Sequence, residues 1–240
     1  LAASEAVRRS MVELEHVPPD RIVVHRYGYE FDALRPQLTP EARCQLRRSL
    51  GIEGGGPLLA VIARLSTSKG HRYLFEALPA LRDEWPGLRV VLSGTGPLRG
   101  ELEGLAASLD LTDVVTFLGW RSDAHRIMEA ADLVVHPTLH EAFCSVIIEA
   151  MALERPLVAT DVAAAPEQVD PGETGLLVPA RDPEALTAAI RTMLADPAAA
   201  EAMGSEARRR VVERFSFPTM MSLYEDTYDE VIARAQPRRS

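Results

Sequence analysis

The chain has 240 residues, 47% hydrophobic and 25% charged, a globular composition with room for one full domain and part of another. Its formal charge of -9 and isoelectric point near 5.2 exclude a dominant basic face, and with it nucleic-acid binding, so any phosphate site must be local. No apolar run approaches the roughly 20 residues that span a bilayer, and Cys44 and Cys144 form neither a disulfide framework nor a paired zinc site; a reducing, cytoplasmic setting is expected, with peripheral attachment to a membrane left open.

The chain opens with Leu1, and residues 2–15 read as a helix, which points to a piece of a longer protein. A Val17-Pro18-Pro19-Asp20 turn leads to an expected strand at 21–25 and a Tyr27-Gly28-Tyr29 turn. Residues 35–57 read as a linker with one helix, headed by Thr39 and Pro40, running to Leu50 and followed by Gly54-Gly55-Gly56-Pro57. From Leu58 onward, short apolar strands alternate with helices of 3.6-residue period. Strands are expected at 58–62, 89–92, 114–117, 132–135, 157–159 and 176–178. Helical faces are marked by Leu74, Ala77, Leu78 and Leu81, by Leu98, Leu102, Leu105 and Leu109, and by Leu186, Ile190, Met193 and Leu194. Another consists of Ile127, Met128 and Ala131, with Ser122 or Asp123 as its N-cap. Residues 201–240 read as helical with a break at Ser216-Phe217-Pro218. The expected class is α/β, a doubly wound parallel sheet of Rossmann-like type.

Such sheets bind ligands beyond the carboxyl ends of their strands, so the residues just past each strand carry the functional information. Arg64 and Lys69 leave the first strand in one loop, where a guanidinium fork and an ammonium suit a diphosphate; as isolated cations they also read as solvated loop charges. After the fourth strand, Glu141 stands where strand hands over to helix. Glu149 lies in an otherwise apolar run, Val146-Ile147-Ile148 before it and Ala150-Met151-Ala152-Leu153 after it. A carboxylate there is costly to bury alone, so Glu149 is expected to face a cleft and meet a polar, hydroxyl-rich ligand. The turn Glu141-Ala142-Phe143-Cys144-Ser145 opens this helix, and its unpaired amides add about 0.3 to 1 kcal/mol toward an anion, each charge-assisted hydrogen bond about 1.5 to 3. Together they supply positive potential without a metal.

Other features carry weaker signals. Gly94 and Gly96 lie in a turn that lets backbone approach a ligand or simply reverses the chain; a dinucleotide fingerprint fails because the next glycine, Gly100, is one residue late. Trp120 and Arg121 suit stacking on a heterocycle, or the tryptophan belongs to the core. His136 and His140 have zinc-helix spacing, but Pro137 breaks the helix and Cys144 stands where a third histidine is wanted, so no metal is expected. Arg208-Arg209-Arg210 reads as a solvated face beside Glu206 and Glu213. Cys144 lacks a base partner, although a helix start would lower its thiol pKa.

These residues resemble the C-terminal half of the GT-B glycosyltransferases of family 4. The match runs over residues 58–179 and rests on the E-x7-E element Glu141 to Glu149, the Arg64-to-Lys69 loop with Gly70, SerGlyThrGlyPro, PheLeuGlyTrp, ArgProLeuValAlaThrAsp and GlyGluThrGlyLeuLeuValPro, all in the family's order. The resemblance implies a retaining, metal-independent transfer from a nucleotide-diphosphate sugar in glycan biosynthesis, with no cofactor. Arg64 and Lys69 would hold the diphosphate and Glu141 the sugar hydroxyls. The amides of Phe143, Cys144 and Ser145 would face sugar and phosphates, Glu149 the ribose, and the backbone near Trp120 and Arg121, with the Gly94 and Gly96 turn, would border the donor. Transfer would follow front-face displacement, the donor phosphate assisting deprotonation of the acceptor.

By the same resemblance, residues 1–34 are the tail end of a mostly missing N-terminal acceptor domain and 35–57 the linker. Residues 58–200 form the donor domain, and 201–240 are helices crossing back to the missing domain. The acceptor, whether glycan, lipid or small molecule, is not specified, and the chain alone is expected to bind nucleotide without transferring sugar. Ala142-Phe143-Cys144 replaces the family's frequent Gly-Phe-Gly, which bears on donor-sugar identity, and Tyr27-Gly28-Tyr29-Glu30 replaces Asn-Gly-Val-Asp, which bears on the hinge. Competing readings are an epimerase or phosphorylase of the same architecture, a non-catalytic nucleotide-sugar module, and a flavodoxin-like regulator. The last is disfavoured because Asp132 starts a strand and Asp161 is solitary.

Overall fold

Six strands, Leu58–Ile62 (β1), Arg89–Ser93 (β2), Val115–Gly119 (β3), Leu133–His136 (β4), Leu157–Thr160 (β5) and Leu176–Val178 (β6), form one all-parallel sheet in the order β3-β2-β1-β4-β5-β6. The computed structural model describes residues 1–52 and 54–235. Helices Glu5–Glu13 (α1) and Pro40–Ser49 (α2) precede the sheet. His71–Glu84 (α3), Arg99–Ser108 (α4), Ala124–Ala130 (α5), Ser145–Ala152 (α6) and Ala165–Gln168 (α7) connect its strands, and Pro183–Ala195 (α8), Pro197–Arg214 (α9) and Phe217–Ala235 (α10) follow.

The apolar strands form a central sheet because both of its faces are covered. Leu59, Val61, Val90, Leu92, Leu133 and Val135 pack with α3, α4 and α8 on one side. On the other, Val134, Leu157 and Ala159 meet α6 and α9, while Leu58, Ala60 and Val91 meet Ile127 and Ala131 at α5. Alternate residues of one strand thus serve opposite layers, the arrangement that near-continuous hydrophobic runs require.

The expected strand limits hold to within a residue, except that β3 ends two residues later than expected, at Gly119. The α2 cap also holds, Thr39 accepting from the Ala42 amide at 3.2 Å. Three local expectations change. Residues 21–25 form no strand: Val24 makes only an isolated parallel bridge to Ala2, because no second strand lies beside that segment to extend a ladder. The first helix is shorter than residues 2–15, starting after Ser4, whose hydroxyl accepts from the Val7 amide at 3.2 Å. Asp123 occupies the N-cap of α5 without capping it, since its carboxylate is taken up by Arg121.

Order 3-2-1-4-5-6 places the switch point between β1 and β4, which pair Leu59 with Leu133 and Ala60 with Val134. The chain leaves these neighbours in opposite directions, opening a crevice above their carboxyl ends. No helix among the described residues is long and apolar enough to cross a membrane.

Candidate functional site

The loops leaving β1 and β4 meet over this crevice. Past β1, a short 3-10 turn, Thr67–Lys69, ends at Gly70 with φ of +65°. A Cβ on Gly70 would stand 1.9 Å from the Pro137 carbonyl oxygen, so only glycine lets the two loops approach this closely. Ser68 carbonyl oxygen accepts from the Leu139 amide at 2.7 Å and from Thr138 Oγ1 at 3.0 Å, fastening the loops together.

This juxtaposition brings the Lys69 ammonium onto Glu141 Oε1. The two side chains are 19% and 18% exposed, desolvated enough for the pairing to matter. From the end of β4, the buried His136 ring places Nε2 3.5 Å from the same oxygen. Burial works to raise the Glu141 carboxyl, but hydrogen bonding and charge from His136 and Lys69 prevail and hold it below its usual range. His71 is buried alongside, and burial first, then the nearby His136 and Lys69, push its imidazole down to about 4. Arg64, on the same loop as Lys69, is exposed, and its side chain has no partner among the described residues.

Gly94 and Gly96 act on this loop directly. A Cβ on either would fall 1.9 Å from the Ala63 carbonyl oxygen or 2.2 Å from that of Leu65, and Thr95 carbonyl oxygen accepts from the Leu65 amide at 3.0 Å. Their small size serves backbone packing against the Arg64 segment.

Across the crevice, α6 presents its amino end. Ser145 is exposed, and its Oγ accepts from the Tyr29 hydroxyl at 2.8 Å. The amides of Cys144, Ser145 and Val146 donate to no group among the described residues, as a helix start leaves them. Phe143 is buried against Phe215, with Tyr27 edge-on at 5.1 Å, so its backbone, not its ring, is the part available to a ligand. Cys144 is also buried, and burial pushes its thiol up to about 12, the reverse of the lowering expected from a helix start; the desolvation of its sulfur outweighs the helix field. One turn along α6, Glu149 is half-buried with Oε2 3.4 Å from His125 Nε2, and hydrogen bonding to Glu149 raises the His125 pKa. Ser4 reaches this turn from the front of the chain, its hydroxyl donating to the Ala142 carbonyl oxygen at 2.9 Å.

Two further expected residues follow β3, whose last residue, Gly119, accepts through its carbonyl oxygen from the Gly94 amide at 2.8 Å. Trp120 is 74% exposed just past β3, at the edge of the sheet, and is not a core residue. The guanidinium of Arg121 is bidentate on Asp123 at 2.8 and 2.7 Å, an in-plane pairing along its edge. No group of three or more His, Cys, Asp or Glu among the described residues could hold a metal ion. The sequence did not disclose the partners His125, His136 and Tyr29; the signal present for His136 was its position as the last residue before the Pro137 loop.

Residues 43–210 match the family model for glycosyl transferases group 1. Alpha-D-kanosaminyltransferase of Streptomyces kanamyceticus is 30% identical over 235 residues, covering 96% of this chain and 60% of that protein. A GDP-mannose-dependent alpha-(1-6)-phosphatidylinositol monomannoside mannosyltransferase of Mycolicibacterium smegmatis is 31% identical over 222 residues, covering 86% of this chain and 53% of that protein. The crystal structure of Anabaena HepE in complex with UDP superposes with a TM-score of 0.88 at 27% identity, covering 95% of this chain and 63% of HepE. The chain thus spans between about half and two thirds of the length of these proteins. Sheet order and family match agree: the chain belongs to the group 1 glycosyl transferases and has the Rossmann-like fold of a GT-B C-terminal domain.

Proposed function

We propose that this chain is the donor-binding part of a glycosyltransferase that moves a sugar from a nucleotide diphosphate to an acceptor, with retention and without a metal. The observation that carries the reading is the fastening of the Lys69 loop to the Glu141 loop above the switch point, facing the amino end of α6. As the bond from sugar to diphosphate breaks, charge accumulates on the departing phosphate. Arg64, Lys69 and the amides of Phe143, Cys144 and Ser145 stabilise it as fixed electrostatic groups. The acceptor proton passes to the departing phosphate oxygen, Glu141 positions sugar hydroxyls, and Glu149 holds the ribose. HepE, which has been crystallised with UDP, and the GDP-mannose-dependent relative support a nucleotide-sugar partner while leaving the base open between uracil and guanine. Acceptor and donor sugar are unassigned, and no cofactor has a role in this scheme.

Calorimetric titration with UDP, GDP and ADP tests the reading. One nucleotide should bind, EDTA should leave its affinity unchanged, and the double substitution Arg64→Ala with Lys69→Met should weaken it at least about tenfold, the size of one lost charged hydrogen bond. Failure of all three nucleotides to bind the folded chain would sink the reading.

A further inference from the structure

Both ring nitrogens of His136 are buried, and neither makes a hydrogen bond of ordinary geometry among the described residues, Nε2 stopping 3.5 Å from Glu141 Oε1. An orphaned imidazole in the interior is unfavourable by about 1 to 3 kcal/mol and calls for an explanation. The ring stands at the last residue of β4, 2% exposed, and Nε2 lies 3.5 Å from Glu141 Oε1. Lys69 engages that same oxygen from the opposite loop, and Oε2 accepts no hydrogen bond among the described residues. One oxygen is therefore approached from two sides and the other left over. His140, whose number alone drew attention to a metal, is exposed and makes no side-chain contact of this kind.

We propose that His136 is the positioning residue of Glu141: from the buried end of β4 it holds Oε1 against Lys69, so that Oε2 is presented to a hydroxyl of the transferred sugar. The inference rests on the donor-binding reading above and extends it to a residue outside the E-x7-E element. In this arrangement the contact of His136 is with the Glu141 carboxylate, which Nε2 approaches at 3.5 Å, and not with the nucleotide. Its loss should therefore be felt in recognition of the sugar and not in recognition of the nucleotide.

The test compares the native chain with His136→Phe and His136→Gln, the second keeping an N–H donor. Calorimetry measures UDP against UDP-glucose and GDP against GDP-mannose, using whichever pair the native chain binds. In His136→Phe the nucleotide affinity should stay within about twofold, while the affinity added by the sugar falls at least about tenfold, as for one lost hydrogen bond to a charged group; His136→Gln should recover part of that. A second readout needs no ligand: carboxyl NMR titration of Glu141, which faces Lys69, His136 and Cys144 with His71 behind them. The Glu141 midpoint should rise in His136→Phe toward the ordinary value of 4.5. An unchanged sugar increment, an equal loss for nucleotide and nucleotide sugar, or an unmoved Glu141 midpoint would each overturn the proposal. If the native chain binds no nucleotide, the donor-binding reading fails by itself, and the carboxyl titration still decides whether His136 holds Glu141.

Discussion

Glu149 shows how far a single residue could be read. Its apolar surroundings on α6 marked it as a carboxylate that needs a partner, and the structure leaves it half-buried at the edge of the crevice. The identity of that partner, His125 on α5, was hidden because the contact joins two helices whose relative placement no local pattern encodes. Asp123 was read as a helix cap, and its carboxylate is instead taken up by Arg121, two residues before it. Glu149→Gln should weaken nucleotide binding by about 1 to 3 kcal/mol, measured by calorimetry, with the circular dichroism spectrum unchanged. His71 gives a stability expectation of opposite character. Its imidazole titrates at about 4 in the folded chain against an ordinary 6.5, so the unfolded chain takes up the proton first as pH falls. Stability should decline from about pH 6.5 to about pH 4, by up to roughly 3 kcal/mol, and level off below. Urea denaturation of His71→Leu across that range should show a shallower decline.

At the scale of elements, the sheet was legible because strands buried on both faces are written as unbroken apolar runs, and the helices between them carry a 3.6-residue stripe. Residues 21–25 carry the same strand-like composition, but a strand also needs a neighbour, and composition says nothing of neighbours. The loop junction was legible only in part: Gly70 was quoted as one residue of a motif, whereas its contact with Pro137 fixes how closely the β1 and β4 loops approach. Gly70→Ala, at φ of +65° and with its methyl 1.9 Å from a carbonyl oxygen, should destabilise the chain by about 2 kcal/mol or more and weaken nucleotide binding. Gly104→Ala is the counterpart, in α4 with nothing within 4 Å of the added Cβ, and should stabilise by about 0.5 to 1 kcal/mol. Thermal denaturation with parallel nucleotide titration separates the two outcomes.

Across the whole molecule, residues 1–34 are integrated with the sheet's far layer. Phe31 and Leu34 join the cluster of Phe143, Val211 and Phe215. Arg26 pairs with Glu167 at 3.0 Å, and Tyr29 exchanges backbone hydrogen bonds with Phe215 and Phe217. Deleting residues 1–34 should remove about 1.5 to 3 kcal/mol for each of the two large apolar side chains and lower the urea midpoint, or drive aggregation through the uncovered Phe143 and Phe215. The bond from Ser4 to the carbonyl of Ala142 gives that front segment a second role, because Ala142 adjoins Glu141. An affinity handle, fluorophore or fusion partner spliced ahead of Leu1 would tug on the turn beside Glu141 like a cord tied to a latch. α10 holds the same front segment, with Thr227 Oγ1 2.8 Å from His25 Nε2 and Tyr224 against the His25 ring, so a load on either flank reaches it.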